Sequence, residues 1–304
     1  MGRKAKSRGR DVHGVLLLDK PVGVTSNTAL QQLKRLFNAR KAGHTGSLDK
    51  PASGLLPLCF GEATKFSSYL LDSDKTYVVT CKLGVTTTTA DASGDVIEKS
   101  AVPRLSGREL EKILARFRGD ISQVPPMHSA LKQGGQPLYK LAYQGREVER
   151  KPRQVTVYSL KLLDLRNDEF DIEVHCSKGT YIRTLVEDIG KAVGCGAHVL
   201  SLRRVAVGPY TISAAITIEH LRQLSEAGEA YLDDQLLPVD GMLGQFPEIE
   251  VNESLAFYLR RGQAVMVPGA PTSGLVRIRF NAEFIGMGEV QEDGRIAPKR
   301  LLSQ

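Results

Sequence analysis

Apolar positions along the chain follow two periods, and each marks a different kind of element. Residues 14–18, Gly-Val-Leu-Leu-Leu, are a short continuous apolar run closed by Asp19-Lys20-Pro21-Val22-Gly23, the pattern of a buried strand ending in a turn. Ala29, Leu30, Leu33, Leu36 and Phe37 then recur at helical spacing, with Ser26 as the expected N-cap. Gly54–Phe60 is a second apolar run, residues 62–71 read as helix, and Lys75–Leu83 alternates as a strand does. Thr86–Gly94 reads as loop. Ser106 is placed to cap a helix reaching about Phe117, because Leu110, Ile113, Leu114 and Phe117 share one face. Strands are expected at Val155–Leu165, Phe170–Cys176 and Val199–Val207, with helices over Thr184–Val193, 217–226 and 253–262. Between them, Pro125–Arg153 is polar, rich in glycine and basic residues, and shows little periodicity, the pattern of a long loop that is either functional or disordered. The tail carries short strands at Leu275–Phe280, Phe284–Val290 and Ile296–Lys299, separated by Asn281-Ala282 and Glu292-Asp293-Gly294.

Strands and helices in mixed order, with few regular β-α-β units, predict an α+β fold with a mixed, largely antiparallel sheet and a small β-rich C-terminal appendage. A chain of 304 residues with 41% hydrophobic content has material for a sizeable core. No apolar run is long enough to span a bilayer, and the basic start Met1–Arg10 lacks a following apolar region, so a cytoplasmic location is expected. A net charge of +7 favours a polyanionic partner, though only modestly.

Cys59, Cys81, Cys176 and Cys195 are scattered, without the spacing of a zinc site or a redox pair, so no metal is expected. No glycine-rich phosphate loop follows a strand, and no nucleotide cofactor is expected. Asp49 stands in Gly43-His44-Thr45-Gly46-Ser47-Leu48-Asp49, where glycines free the backbone. Taken alone, it reads as a turn residue or helix cap.

The loop around Asp49, continued by Ala52-Ser53-Gly54-Leu55-Leu56-Pro57, resembles the signature of the TruB family of tRNA pseudouridine-55 synthases. Further segments match in order: Leu18-Asp19-Lys20-Pro21, Lys75-Thr76-Tyr77, Pro125-Pro126-Met127-His128-Ser129-Ala130-Leu131-Lys132, Cys176–Arg183, and Gly196-Ala197-His198 followed by Leu202-Arg203-Arg204. Gly286-Met287-Gly288 and Pro298-Lys299-Arg300 resemble the RNA-binding PUA-like tail of bacterial members. The chain departs from the family pattern at Lys50-Pro51, where a proline directly after the aspartate is usual, at Thr88, and at His128.

The resemblance implies isomerisation of uridine to pseudouridine at position 55 of the tRNA T-loop, with base flipping and without a cofactor. It makes Asp49 the covalent catalyst, with Arg183 as the cation that keeps it ionised and Tyr77 as the ring that stacks on uracil. A base role for the Tyr77 phenol, with its ordinary pKa of about 10, has weaker support. Tyr181 and Leu202 are implied to wall the pocket, His44 to brace the RNA where the base has left, and Lys20 and Lys132 to bind substrate. The implied organisation is a basic arm over residues 1–12, a catalytic domain over 13–245 with an RNA-gripping insertion at about 125–153, and a PUA-like domain over 246–304. The expected partner is the tRNA T-arm stem-loop, with no membrane and no obligate protein partner, the chain acting as a monomer. The competing reading is an RNA-binding or RNA-folding protein without catalysis. A uracil methyltransferase would need a cysteine nucleophile and a cofactor loop.

Overall fold

The computed structural model describes residues 9–129 and 131–303, and of Tyr143 the backbone alone. The strands of the larger unit are Gly14–Lys20 (β1), Ala42–His44 (β2), Ser53–Phe60 (β3), Lys75–Leu83 (β4), Val85–Thr87 (β5), Val96–Lys99 (β6), Gly119–Gln123 (β7), Lys132–Gln133 (β8), Gln136–Pro137 (β9), Arg153–Arg166 (β10), Glu169–Cys176 (β11), Ala197–Val207 (β12) and Tyr210–Thr211 (β13). Its helices are Ser26–Leu36 (α1), Ser67–Leu71 (α2), Gly107–Leu114 (α3), Leu138–Tyr143 (α4), Ile182–Val193 (α5), Ile218–Ala227 (α6) and Glu229–Asp233 (α7). The tail adds Glu248–Glu250 (β14), Glu253–Arg260 (α8), Gly274–Phe280 (β15), Glu283–Val290 (β16) and Ile296–Leu301 (β17).

One nine-stranded sheet organises the larger unit, in the order β1-β3-β12-β4-β11-β10-β7, with β2 paired to β3 and β13 to β12. Its pairs are antiparallel except β12 on β3, where Arg203 faces Ser53 and Arg204 faces Gly54. The apolar runs of β1 and β3 have a simple cause. Leu16, Leu18, Leu56 and Leu58 enter one core with α1 and α6, while Val15, Leu17, Leu55 and Cys59 enter a second on the opposite face. A strand covered on both faces has no polar side to alternate. β11 does alternate, and its buried residues join a third core with α3 and α5. The α+β architecture is thus as the sequence predicts.

Several local expectations are corrected. Thr25, not Ser26, caps α1 by accepting the Thr28 amide. Residues 61–65 form a 3-10 turn before the short α2. The span 125–153 is not one irregular loop: it holds the β8–β9 hairpin and α4. The Thr86–Gly94 stretch contributes to a hairpin, β5 with β6. Most of the expected N-terminal arm lies outside the described residues, but its end is packed: Arg10 pairs with Asp233 at 2.9 Å, and Val12 is buried in the α1 core. The four cysteines are free and buried. Among the described residues, no helix is long and apolar enough to cross a membrane.

The tail builds its own four-stranded sheet, β14-β15-β16-β17, over a small core that includes Ile249, Leu259, Val276 and Ile296. It is not detached. Met287 is fully buried in the same core as Val15 and Phe66 of the larger unit.

Candidate active site

The site forms where β1, β3, β12 and β4 converge. Gly54 stands at that junction, opposite both Lys20 and Arg204, with φ +103°. A side chain there would meet the Arg204 carbonyl oxygen at 2.2 Å, so only glycine lets β12 approach β3 this closely. The loop between β2 and β3 carries Asp49 and is pinned from several directions. Ser26 Oγ accepts the Leu48 amide at 2.8 Å and donates to the Leu48 carbonyl at 3.1 Å. Thr45, fully buried, donates its amide and hydroxyl to the Pro57 carbonyl. The Ala52 amide closes a turn on the Asp49 carbonyl, and the Gly23 amide reaches the Lys50 carbonyl at 2.8 Å. The unusual Lys50-Pro51 pair is therefore accommodated: Lys50 anchors through its backbone, and Pro51 lines the cavity beside Asp49.

Arg183, in the first turn of α5, brings its Nε to 3.0 Å from Asp49 Oδ2. Its side chain is only 7% exposed, whereas the Asp49 side chain is 46% exposed. The nucleophile candidate thus faces solvent and its counter-charge is buried behind it. The other guanidinium nitrogens are held by backbone: Nη1 donates to the Thr89 carbonyl at 3.0 Å and Nη2 to the His128 carbonyl at 2.7 Å. A second carboxylate, Asp91, is buried 3.9 Å from Nη1. Its Oδ1 accepts from the Thr89 hydroxyl and from the Ser93 amide and hydroxyl. Asp49, Ala52, Asp91, Ala92, Arg183, Val199 and Leu202 line one small cavity.

The expected residues separate into groups. Asp49, Arg183 and Leu202 share the cavity wall, with Leu202 packed between two cores. Tyr77 packs against the same two cores and is half-buried; burial pushes its phenol up, which disfavours the phenolate a base would require. His44 ends β2, half-buried. Burial, aided by the charge of Arg204, pushes its pKa down, and its Nδ1 has no partner among the described residues. Tyr181 precedes α5, its backbone held by Gln123 and its ring stacked under Arg153 at 5.2 Å; it does not line the Asp49 cavity. Lys132 is exposed on β8, beside Arg150 and Arg153 rather than at Asp49.

Lys20, implied by the resemblance to bind substrate, is fully buried. Its ammonium donates to the carbonyls of Pro21 and Val24 at 2.8 and 2.7 Å, and burial lowers its pKa to about 8 although Asp49 opposes the shift. Arg204, Asp91 and Ser26 were not singled out as site residues by sequence. The one signal is a charged pair, Arg203-Arg204, inside a strand whose other residues are apolar except His198 and Ser201.

Comparison with known proteins places this geometry in context. Residues 34–182 match the family described as TruB family pseudouridylate synthase (N terminal domain). Residues 183–244 match the tRNA pseudouridylate synthase B C-terminal domain, and residues 247–302 match Pseudouridine synthase II TruB, C-terminal. A protein of Coxiella burnetii named tRNA pseudouridine synthase B is 57% identical over 297 residues, covering 97% of this chain and 96% of its own. One of the same name from Nitrosococcus oceani is 55% identical over 303 residues, covering 99% and 98%. Among solved structures, a chain of a Cbf5-Nop10-Gar1 complex superposes with a TM-score of 0.75 at 26% identity, across 95% of this chain and 84% of that one.

Proposed function

Because the chain belongs to the TruB family of pseudouridine synthases, isomerases that act on tRNA, we propose that it modifies the uridine at position 55 of the T-loop through covalent catalysis by Asp49. The observation that carries this reading is the Asp49–Arg183 pair: an accessible carboxylate backed by a buried guanidinium at 3.0 Å.

The reaction must break N1–C1′, turn the base and join C5 to C1′, with a proton leaving C5 and one arriving at N1. A carboxylate serves by adding to C1′ or to C6 of the ring and leaving again once the new bond has formed. A glycosidase would need a second carboxylate to activate water. Asp91 is placed differently: it is buried, with Oδ1 held by Thr89 and Ser93 and Oδ2 turned toward Arg183 at 3.9 Å. The uridine lies in a folded RNA loop, so it swings out of its stack to reach Asp49. Leu202 and Val199 give the ring an apolar wall, and Tyr77 stacks on it. His44, kept neutral by burial, braces the vacated position. The insertion around β8, β9 and α4 grips the RNA through Lys132 and its neighbours, and the tail supplies a second RNA contact. The enzyme works in the cytoplasm as a monomer.

The test is a T-arm stem-loop RNA labelled with tritium at the uridine C5. Wild-type protein releases the label, and Asp49→Asn binds the RNA with near-normal affinity but releases none. Binding by the wild type without release would favour the RNA-folding reading, and residual turnover in Asp49→Asn would remove it as the nucleophile.

A further inference from the structure

Arg204 is the largest side chain with essentially no exposure, at 1%, and among the described residues no carboxylate lies within ion-pair distance of it. A lone buried cation is costly, and folds keep one where its donors are needed. Its donors have definite destinations. Nε reaches the Leu55 carbonyl at 2.7 Å and Nη2 the Gly46 carbonyl at 3.1 Å, and the charge of the guanidinium also acts on the neighbouring Tyr77 phenol. Gly46 belongs to the Asp49 loop, with φ +105° and open room only as far as Arg204 Nη1. Tyr77 stands directly opposite Arg204 on β4, so both side chains leave the same face of the sheet.

A guanidinium has donors and no acceptor. The Tyr77 oxygen therefore turns its lone pairs, not its proton, toward Arg204. Burial favours the protonated phenol, so that proton is retained.

We propose that Arg204 is a positioning residue that sets the Asp49 loop and the Tyr77 ring together, holding the ring where it stacks on the flipped uracil. One rigid group thereby fixes both the nucleophile's loop and the strand position of the stacking tyrosine. This rests on the assignment of Asp49 and Tyr77 to uridine chemistry.

The test is a double-mutant cycle with Arg204→Lys and Tyr77→Phe, read as kcat and KM for tritium release from T-arm RNA. Lysine keeps the charge but cannot reach all three partners. Arg204→Lys is expected to lower kcat about a hundredfold with KM changing less than about threefold. In the double variant the loss should be close to that of the worse single variant, the signature of residues acting through one another. Losses that multiply independently would overturn the proposal and leave Arg204 as packing. Thermal melting accompanies each variant, and Arg204→Gln, which keeps amide donors without the charge, repeats the cycle if Arg204→Lys does not fold. Wild-type inactivity on T-arm RNA would instead strike the functional reading, so the two failures are distinguishable.

Discussion

Arg183 divides its fork between a carboxylate and the backbone, one nitrogen toward Asp49 and two onto the carbonyls of Thr89 and His128. Those carbonyls belong to the β5–β6 connection and to the insertion, so the guanidinium joins three segments far apart in sequence. A lysine would carry the same charge but could not bridge planar donors to three sites at once. Arg183→Lys is therefore expected to cut kcat by about two orders of magnitude, the usual scale for a misplaced reacting group. Single-turnover tritium release would measure it. Near-normal turnover would mean that Asp49 needs only a nearby positive charge, and that the anchoring carbonyls are incidental.

At the scale of elements, Lys75 shows how the chain ends a helix without a glycine. It opens β4, is buried, and donates to the Leu70, Leu71 and Ser73 carbonyls at the exit of α2. Burial, with Arg204 adding repulsion, lowers its pKa from 10.5 to about 8. Between those values the unfolded chain holds a proton that the folded one has released, so this group makes stability rise with pH from about 8 to 10.5 and then level off. Lys75→Met should remove that rise, widening the gap to wild type across this window in urea unfolding at pH 8, 9 and 10. Lys20 titrates with the same sign but is common to both proteins and cancels. Parallel curves would show that Lys75 keeps an ordinary pKa in the fold.

The same scale shows what the sequence discloses. β1 and β3 announce themselves as continuous apolar runs, β4, β10 and β11 through the alternation that one-sided burial leaves, and Ser106 with Glu109 forms a full capping box on α3. β6 is invisible because all four of its residues are exposed, leaving no buried face to read. α4 is short and sits among glycines and charges, and among its described side chains only Leu138 and Leu141 are buried. The cap of α1 was misassigned for a related reason. Ser26 and Thr25 suit the position equally, and what decides is a bond from Ser26 to Leu48, 22 residues away. The site divides in the same way: Asp49 and Arg183 stand out through the company of their motifs, whereas Arg204 and Asp91 matter through contacts that only the assembled sheet creates.

Over the whole molecule, the tail cannot be treated as a removable module. Phe284 packs edge-on against Phe66 at 5.5 Å, Met287 fills the shared core, and Lys65 reaches the Leu301 carbonyl at 3.1 Å. Deleting residues from about 250 onward would open that core and confuse lost RNA binding with lost folding. The outer face of α8 offers a cleaner experiment. Phe257 and Tyr258 are 45% and 44% exposed although a small core lies directly behind the helix. Arg261 stacks over Phe257 at 3.7 Å and Arg260 over Phe280 at 5.6 Å, and among the described residues neither arginine is in an ion pair. Exposed rings beside unpaired guanidinium groups suit unpaired nucleotides, whose bases stack while their phosphates meet the cations. Phe257→Ala with Tyr258→Ala leaves every buried residue of α8 in place, so melting should be nearly unchanged. Affinity for whole tRNA should fall about tenfold, and affinity for the isolated T-arm stem-loop should fall less, because stacking on aromatic rings is worth about 1–3 kcal/mol per base. Equal affinity of variant and wild type for whole tRNA would mean that the tail's RNA contact, if it has one, is made by another face.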